Sequence, residues 1–286
     1  MSFKIIIMKQ LTLELFLQLF GIGAASGLIY KDDQLQIISD DANVFYTYEI
    51  AREKLTKNSL NLDYSLEEQL PKAIKNDFEA ITTDGEHYYI FGSGSTPKRN
   101  KLIEVSSLTK EIISINDLEV LYESMKSFAA IADDDFNIEG VIVDGNTWYF
   151  FNRGNGPAKK NGVFTVTGAN ILEEFNIVYN PIQLPKIDGV QTGFTDATLV
   201  DNKIYFLAAA EDADSTYQDG DVKGTLIGRM DLKKLKVEKT TIISNTHKFE
   251  GISLLKKEGK TRSFLLCEDA DNTDNKTKIY KLDFKE

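Results

Sequence analysis

The 286-residue sequence carries 44 acidic and 33 basic side chains, which give a net charge of −11 and a pI near 4.9. Such an acidic surface repels a phosphate backbone, so we expect no nucleic-acid partner. No uncharged apolar stretch is long enough to cross a bilayer, so we expect no membrane association, and the single cysteine, Cys267, excludes an intramolecular disulfide.

The N-terminal segment predicts a strand over residues 3–16, because apolar and polar residues alternate from Leu11 to Leu15. Lys4 and the apolar run after it are faintly similar to a secretion signal, but Lys9 and Glu14 interrupt that pattern. We therefore expect a cytoplasmic protein, with export as the alternative.

After this segment the chain repeats one unit five times. In its clearest copy, Val141 to Val143 form a first strand, Asp144-Gly145 a turn, and Trp148 to Phe151 a second strand. An Asp-Gly pair between two β-rich runs is a strong hairpin signal. The strand-start residues of the five copies, at steps of 53, 60, 57 and 54 residues, are Ser26, Glu79, Glu139, Asp196 and Glu250. This period predicts a repeat architecture.

One segment departs from the repeat. Apolar residues at helical spacing predict a helix between Asn116 and Ala132 that packs outside the sheets, with Asn116 or Asp117 as its cap. The residues expected on its packed face are Leu118, Leu121, Met125, Phe128 and Ala132. This insertion explains why the second step of the repeat is the longest.

These elements predict an all-β fold: a single five-bladed β-propeller domain over residues 1–286. The fifth copy provides three strands, so we expect residues 3–14 to pair with residues 278–284 and close the ring. Closure removes the unpaired sheet edges that invite aggregation. The alternative is a six-bladed propeller with a degenerate blade between Ala51 and Asn76.

A candidate site follows from this geometry. The start of the first strand of each blade and the end of the second lie on the same face, so both sets should converge on one channel mouth. The proposed metal ligands are Glu79, Glu139, Asp196 and Glu250. The proposed ligand-binding residues are Ser26, Asp40, Ser93, Lys98, Arg99, Asn152, Arg153, Glu211 and Glu268. Clustered carboxylates require bound cations, raised pKa values or interleaved basic residues.

Two acidic loops also indicate a possible role in cation binding. The runs Glu211 to Thr216 and Glu268 to Thr273 echo one another, and such oxygen-rich runs suit Ca²⁺. The alternative is that these loops are solvated turns. The two histidines, His87 and His247, are expected to be structural, and no nucleophile elbow, P-loop or zinc-binding spacing is present.

The strand-start motifs, each followed by a hairpin and a polar loop, resemble the blades of esterase-like phytases and, more loosely, of gluconolactonase-type propellers. A closer resemblance, to an uncharacterised bacterial propeller family, rests on Asp77 to Ala80, Gly92 to Ser95 with Lys98-Arg99, Asn137 to Gly140 with Asn152 to Asn155, and Gly193 to Ala197. The wider resemblance implies Ca²⁺ at the mouth and ester hydrolysis. The histidine dyad of some propeller lactonases is missing.

Two classes of function remain open at this stage. One is a Ca²⁺-dependent hydrolase of a phosphate or other ester, in which the strand-start acids hold the metal. The other is a non-catalytic propeller that binds a small molecule or a protein at the same mouth. In both cases we expect a monomer with a small-molecule ligand or substrate, and the catalytic residues are unassigned.

Overall fold

The computed structural model describes residues 11–212, 220–269 and 275–285, and these residues form five antiparallel sheets. Each sheet is a blade of a five-bladed β-propeller. The strands of blade one are β2 (Ala25–Lys31), β3 (Gln34–Ser39), β4 (Val44–Glu49) and β5 (Lys54–Ser59). Those of blade two are β6 (Phe78–Thr83), β7 (His87–Gly92), β8 (Lys101–Ser106) and β9 (Ile112–Asp117).

The next two blades follow the same meander. The strands of blade three are β10 (Ile138–Asp144), β11 (Thr147–Asn152), β12 (Gly162–Asn170) and β13 (Glu174–Pro181). Those of blade four are β14 (Lys186–Ile187), β15 (Val190–Val200), β16 (Lys203–Asp212), β17 (Asp221–Asp231) and β18 (Val237–Ser244). The short strand β14 is an addition to the predicted pattern, and it pairs with the start of β15.

Blade five closes the ring. It combines β19 (Lys248–Glu258), β20 (Thr261–Asp269) and β21 (Lys276–Lys285) with the N-terminal strand β1 (Leu11–Phe20). The predicted closure is confirmed, but its register differs: Leu11 pairs with Phe284 and Phe20 pairs with Lys276. The closing strand therefore extends to Phe20, beyond the expected end at residue 14, and residues 3–10 lie outside the described part of the chain.

The six-bladed alternative is wrong. Between Ala51 and Asn76 the chain forms only β5, and residues 60–77 contain no strand. This segment instead runs across the end of the propeller, where it brings Lys75 to the channel mouth.

The predicted helix forms, with shifted bounds. It is α1 (Glu119–Ala129), and Asn116 and Asp117 end β9 because this strand pairs with β8 as far as Asp117. The Asp117 carboxylate accepts the backbone N–H of Glu119 at 2.6 Å. Leu118, Leu121 and Met125 are buried as expected, whereas Phe128 is 59% exposed. The hydroxyl of Tyr122 donates to the carbonyl of Gly92 at 2.9 Å and fastens the helix to blade two.

Every innermost strand has a β-bulge at or next to the repeated strand-start residue. The pairing skips one residue between Ala25 and Gly27 in blade one, and one residue is skipped at the corresponding place in each of the other four blades, which in blade four lies inside β15. A bulge leaves one residue unpaired and re-aims its side chain. The bulged residues are Ser26, Glu79, Glu139, Thr195 and Glu250.

The alignment of Asp196 with the other strand-start acids is therefore one residue off. In blade four the skipped residue is Thr195. Its hydroxyl donates to the carbonyl of Phe249 at 2.7 Å, just as the Ser26 hydroxyl donates to the carbonyl of Phe78 at 2.5 Å. The ring at the channel thus holds three carboxyl and two hydroxyl side chains.

Candidate functional site

A cavity of about 210 Å³ lies at one mouth of the channel. Its lining contains eight carboxylic side chains and five lysine or arginine side chains, with Leu70 as its one apolar side chain among the described residues. Such a charged and almost wholly polar wall is unsuited to an apolar ligand. The cavity therefore points to a small, strongly polar ligand.

Strand geometry explains how these side chains converge. Successive side chains of a strand point to opposite faces, so residues two apart share a face. Lys248 lies two residues before Glu250 and contacts it at 2.9 Å. Asn137 lies two residues before Glu139 and donates to its carboxylate at 2.6 Å. A polar partner therefore accompanies each of these bulged acids.

The first charged group, the Lys75 cluster, lies on blades one and two. The Lys75 ammonium contacts the carboxylate of Asp40 and lies 2.9 Å from that of Asp77. Asp77 also accepts hydrogen bonds from Arg99 at 2.8 Å and from Ser93 at 2.6 Å. Burial is the largest influence on Asp40 and raises the pKa of its carboxyl to about 6, although Lys75 opposes this shift.

The second group, the Arg153 cluster, joins blades three, four and five. The Arg153 guanidinium lies 2.7 Å from Glu211 and 3.2 Å from Glu139. Lys248 adds contacts of 2.9 Å with Glu250 and 3.6 Å with Glu211. Buried charges are tolerated only when they are paired in this way.

The carboxyls of the Arg153 cluster differ in the direction in which their pKa values are shifted. Burial favours the neutral form of Glu211, but Arg153 and Lys248 outweigh it and lower the pKa of this carboxyl. Burial raises the pKa of Glu250 well above its usual value, and it also raises the pKa of Glu139, against the opposing effect of Arg153. Within this cluster the pKa of one carboxyl is therefore lowered and the pKa values of the other two are raised.

Glu79 adjoins the Lys75 cluster, with a carboxylate oxygen within 4.8 Å of oxygens of Asp40 and Asp77. It lines the cavity and is half-buried, and it makes no hydrogen bond or ion pair within the described part of the chain. Burial raises the pKa of its carboxyl well above the usual value, and the negative charges of Glu139 and Asp77 raise it further. A perturbed carboxyl in a cleft is a recognised mark of a functional site.

The structure brings seven of the thirteen predicted site residues to the cavity wall. They are Asp40, Glu79, Arg99, Glu139, Arg153, Glu211 and Glu250. Clustered carboxylates were expected to require bound cations, raised pKa values or interleaved basic residues. The lining shows both interleaved basic residues and a raised carboxyl pKa.

The other six predicted residues lie behind or away from the wall. Ser93 supports Asp77, and Lys98 is exposed. Asn152 is fully buried and donates to the carbonyl of Asp135 at 3.0 Å. Asp196 accepts the backbone N–H groups of Ala197 at 2.7 Å and Ile252 at 2.8 Å. Ser26 bonds the neighbouring blade, and Glu268 pairs with His247 and, at 3.3 Å, with Lys278.

Sequence reasoning missed several lining residues. Among them are Lys75, Asp77 and Lys248. The two-residue spacing before Glu79 and Glu250 is a signal that could have found Asp77 and Lys248. Lys75 carries no such signal, because a long segment without strands brings it to the mouth.

Five sheets around one channel and a charged mouth define the class: a five-bladed β-propeller with a polar site at the channel mouth. The chain belongs to a family described as a family of unknown function (DUF6929), which matches residues 21–284. The resemblance to an uncharacterised family is thus confirmed. No curated protein matches the sequence.

Several solved structures resemble the chain. The exo-1,5-alpha-L-arabinanase from a bovine ruminal metagenomic library has 10% identity and a TM-score of 0.50, with 91% of this chain and 92% of that one covered. A bifunctional GH43-CE protein of Bacteroides eggerthii has 11% identity and a TM-score of 0.53, with 92% of this chain and 33% of that one covered.

A third similar structure is the glutaminyl cyclase of Myxococcus xanthus, with 10% identity and a TM-score of 0.47 over 96% of this chain and 97% of that one. At these identities the likeness shows the fold alone. Neither the family nor these structures support the finer resemblance to phytases or gluconolactonases. No helix in the described ranges is long and apolar enough to span a membrane.

Proposed function

We propose that the channel mouth binds a small polar ester and hydrolyses it, with Glu79 as the group that exchanges a proton with the substrate. The observation that carries this proposal is the placement of Glu79, whose carboxyl lines the cavity and has no hydrogen-bonding partner within the described residues. Burial also raises the pKa of this carboxyl. A protonated carboxyl that is free to contact a ligand is the form a general acid requires.

The proposed hydrolysis needs only water and the proton of Glu79. Water adds to the ester carbon or phosphorus, the bond to the leaving oxygen breaks, and Glu79 gives its proton to that oxygen. The attacking water then returns a proton to the Glu79 carboxylate, which restores the starting state. The products are an acid and an alcohol.

Charge decides which esters suit this site. In the described part of the lining, eight carboxylic side chains outnumber five cationic ones, and even with some of the acids protonated this wall disfavours an anionic phosphate ester. The negative charge of the wall does not repel a neutral or positively charged ester. A phosphate ester therefore needs a cation at the mouth.

Ca²⁺ is the candidate for that cation. Oxygen atoms of Asp40, Asp77 and Glu79 lie within 4.8 Å of one another, and Ca²⁺ prefers oxygen ligands. The Lys75 ammonium, however, already contacts Asp40 and Asp77. Lys75 would have to move before all three carboxylates could hold Ca²⁺. The phosphate-ester form of the proposal thus depends on Ca²⁺, whereas hydrolysis of a neutral ester does not.

The test is a panel of neutral esters, lactones and phosphate esters, assayed with Ca²⁺ and with a chelator. We expect a neutral ester to be hydrolysed in the chelator, and Glu79→Gln to lower kcat by about a hundredfold or more, because the variant cannot donate the proton. Glu86→Gln is the matched control, since Glu86 is an exposed acid at the hairpin turn of the same blade.

Three outcomes would modify or contradict the proposal. Phosphate-ester hydrolysis that requires Ca²⁺ favours the metal-dependent form. Full activity in Glu79→Gln contradicts the role of Glu79. Inactivity across the whole panel favours the non-catalytic propeller that binds a ligand at the same mouth.

A further inference from the structure

The unpaired groups at the mouth are mostly hydrogen-bond acceptors. The Oδ1 atoms of Asp40 and Asn155 are both buried without a partner, and both residues line the cavity. Glu79 adds a carboxyl with no hydrogen bond within the described ranges. A buried acceptor without a donor costs free energy, so this wall is complementary to a ligand that brings donors.

One buried donor of the described lining also lacks a partner. It is the Nε atom of Arg153, whose side chain lies against β15. A Cβ added at Gly193 would be only 2.7 Å from the Cγ atom of Arg153 and 3.5 Å from its Nε atom. Among the buried atoms without a partner in the described lining, two are therefore acceptors and one is a donor.

The protein's own lysines show which donor the wall accommodates. The Lys75 ammonium lies between Asp40 and Asp77, and the Lys248 ammonium lies 2.9 Å from Glu250 and 3.6 Å from Asp269. Each is buried among carboxylates of the cavity. The mouth is thus already built around two ammonium groups, while Glu79 has no cation within ion-pairing distance in the described structure.

We infer that the ligand of the mouth carries a primary ammonium group, which binds at Glu79 and donates to the Asp40 carboxylate beside it. This inference rests on the proposed site and names the class of ligand that the site binds, a small amine. A Glu79 that pairs with a bound ammonium group has no proton to give to a leaving oxygen, so toward such a ligand Glu79 is a binding group and not the general acid. An ammonium group offers three donors and a positive charge, and it matches the unpaired oxygens and the excess of carboxylates together.

The size of the cavity limits the rest of the ligand. A volume of about 210 Å³ equals that of about seven liquid waters, at roughly 30 Å³ for each water. Among the described residues, the lining has no aromatic side chain that could stack on a ring. The ligand is therefore a compact aliphatic amine.

The test compares two probes of the same shape, 3-amino-1-propanol and 1,3-propanediol, by isothermal titration calorimetry with the full chain. We expect the amine to bind at least about tenfold more tightly than the diol. Glu79→Gln should abolish this preference, because the variant has no carboxylate to pair with the ammonium group, while Glu86→Gln keeps it.

The outcomes separate this inference from the hydrolase proposal. Equal binding of the two probes, binding of neither, or a preference that survives in Glu79→Gln overturns the inference. If neutral esters are hydrolysed with no preference for amines, the hydrolase proposal stands without it. If the amine binds through Glu79 but no ester is hydrolysed, the inference stands and the hydrolase proposal fails.

Discussion

At the scale of single residues, the carboxyls of the mouth make stability depend on pH. Burial raises the pKa values of Glu79 and Glu250 well above their usual value, and that of Asp40 to about 6. Such groups keep a proton in the folded state that they lose in the unfolded state. Their stabilising contribution is therefore present at low pH and is lost as the pH rises through the folded-state pKa values.

The first prediction follows from this loss of stability as the pH rises. The melting temperature should fall by several degrees between about pH 5 and about pH 8, measured by scanning calorimetry in matched ionic strength. Glu211, whose pKa is lowered, acts in the opposite direction, but its contribution is complete before this range begins. In Glu79→Gln the fall should be smaller, because one of the titrating groups is gone. A wild-type melting temperature that rises across this range contradicts the prediction.

The sequence predicted much of the mouth at this scale. The repeat locates Glu79, Glu139 and Glu250 correctly, because the same bulge recurs at the same place in each blade. It misplaces blade four, because Thr195 and Asp196 are adjacent and the bulge that distinguishes them depends on pairing with β16. The contribution of Lys75 depends on the course of a segment without periodicity, which no pattern in the sequence specifies.

At the scale of elements, hydroxyl groups fasten neighbouring blades. The Thr195 hydroxyl donates to the carbonyl of Phe249 in blade five, and the Ser26 hydroxyl donates to the carbonyl of Phe78 in blade two. Both hydroxyl-bearing residues are fully buried. These bonds join the innermost strands of neighbouring blades near the channel.

The second prediction tests these bonds. Thr195→Val keeps the side-chain shape but leaves the carbonyl of Phe249 without this donor, so it should lower the free energy of unfolding by about 1–2 kcal/mol in denaturant titration. Thr198→Val, a half-buried position of the same strand with no side-chain bond in the described structure, is the control and should change little. Equal stability of the two variants contradicts this role for Thr195.

The elements themselves were largely predictable, since the alternation of apolar residues and the turn residues between them specify each hairpin. The helix shows where the pattern fails. Its apolar spacing correctly predicts a helix, but pairing with β8 keeps Asn116 and Asp117 in a strand, and the helix begins only at Glu119. Local spacing carries no information about such long-range pairing.

At the scale of the whole molecule, the N-terminal strand holds the ring closed. β1 pairs along most of β21, and Leu19 is buried in the core. The number of blades followed from the repeat, and the need for a closing strand followed from the missing strand of the last copy. The register between β1 and β21 could not be predicted from the sequence. Apolar and polar residues alternate in both strands, so a shift by an even number of residues keeps the same side chains on the buried face.

The third prediction concerns this closure. Deletion of residues 1–20 removes β1 and exposes the edge of β21, so the variant should aggregate or unfold at a markedly lower temperature. Deletion of residues 1–10 is the control, because it keeps every described pair between β1 and β21. The two variants are compared by size-exclusion chromatography and thermal melting. A 1–20 deletion that remains monomeric and as stable as the control contradicts closure by β1.

The central claim is that Glu79 is a protonated carboxyl that faces the cavity. The most direct measurement is the pH titration of its side-chain carboxyl by carbon-13 NMR, with the signal assigned from its loss in Glu79→Gln. The account predicts a midpoint well above the ordinary glutamate value of 4.5, which falls when an amine binds. A midpoint at the ordinary value, unaffected by amines, would contradict it.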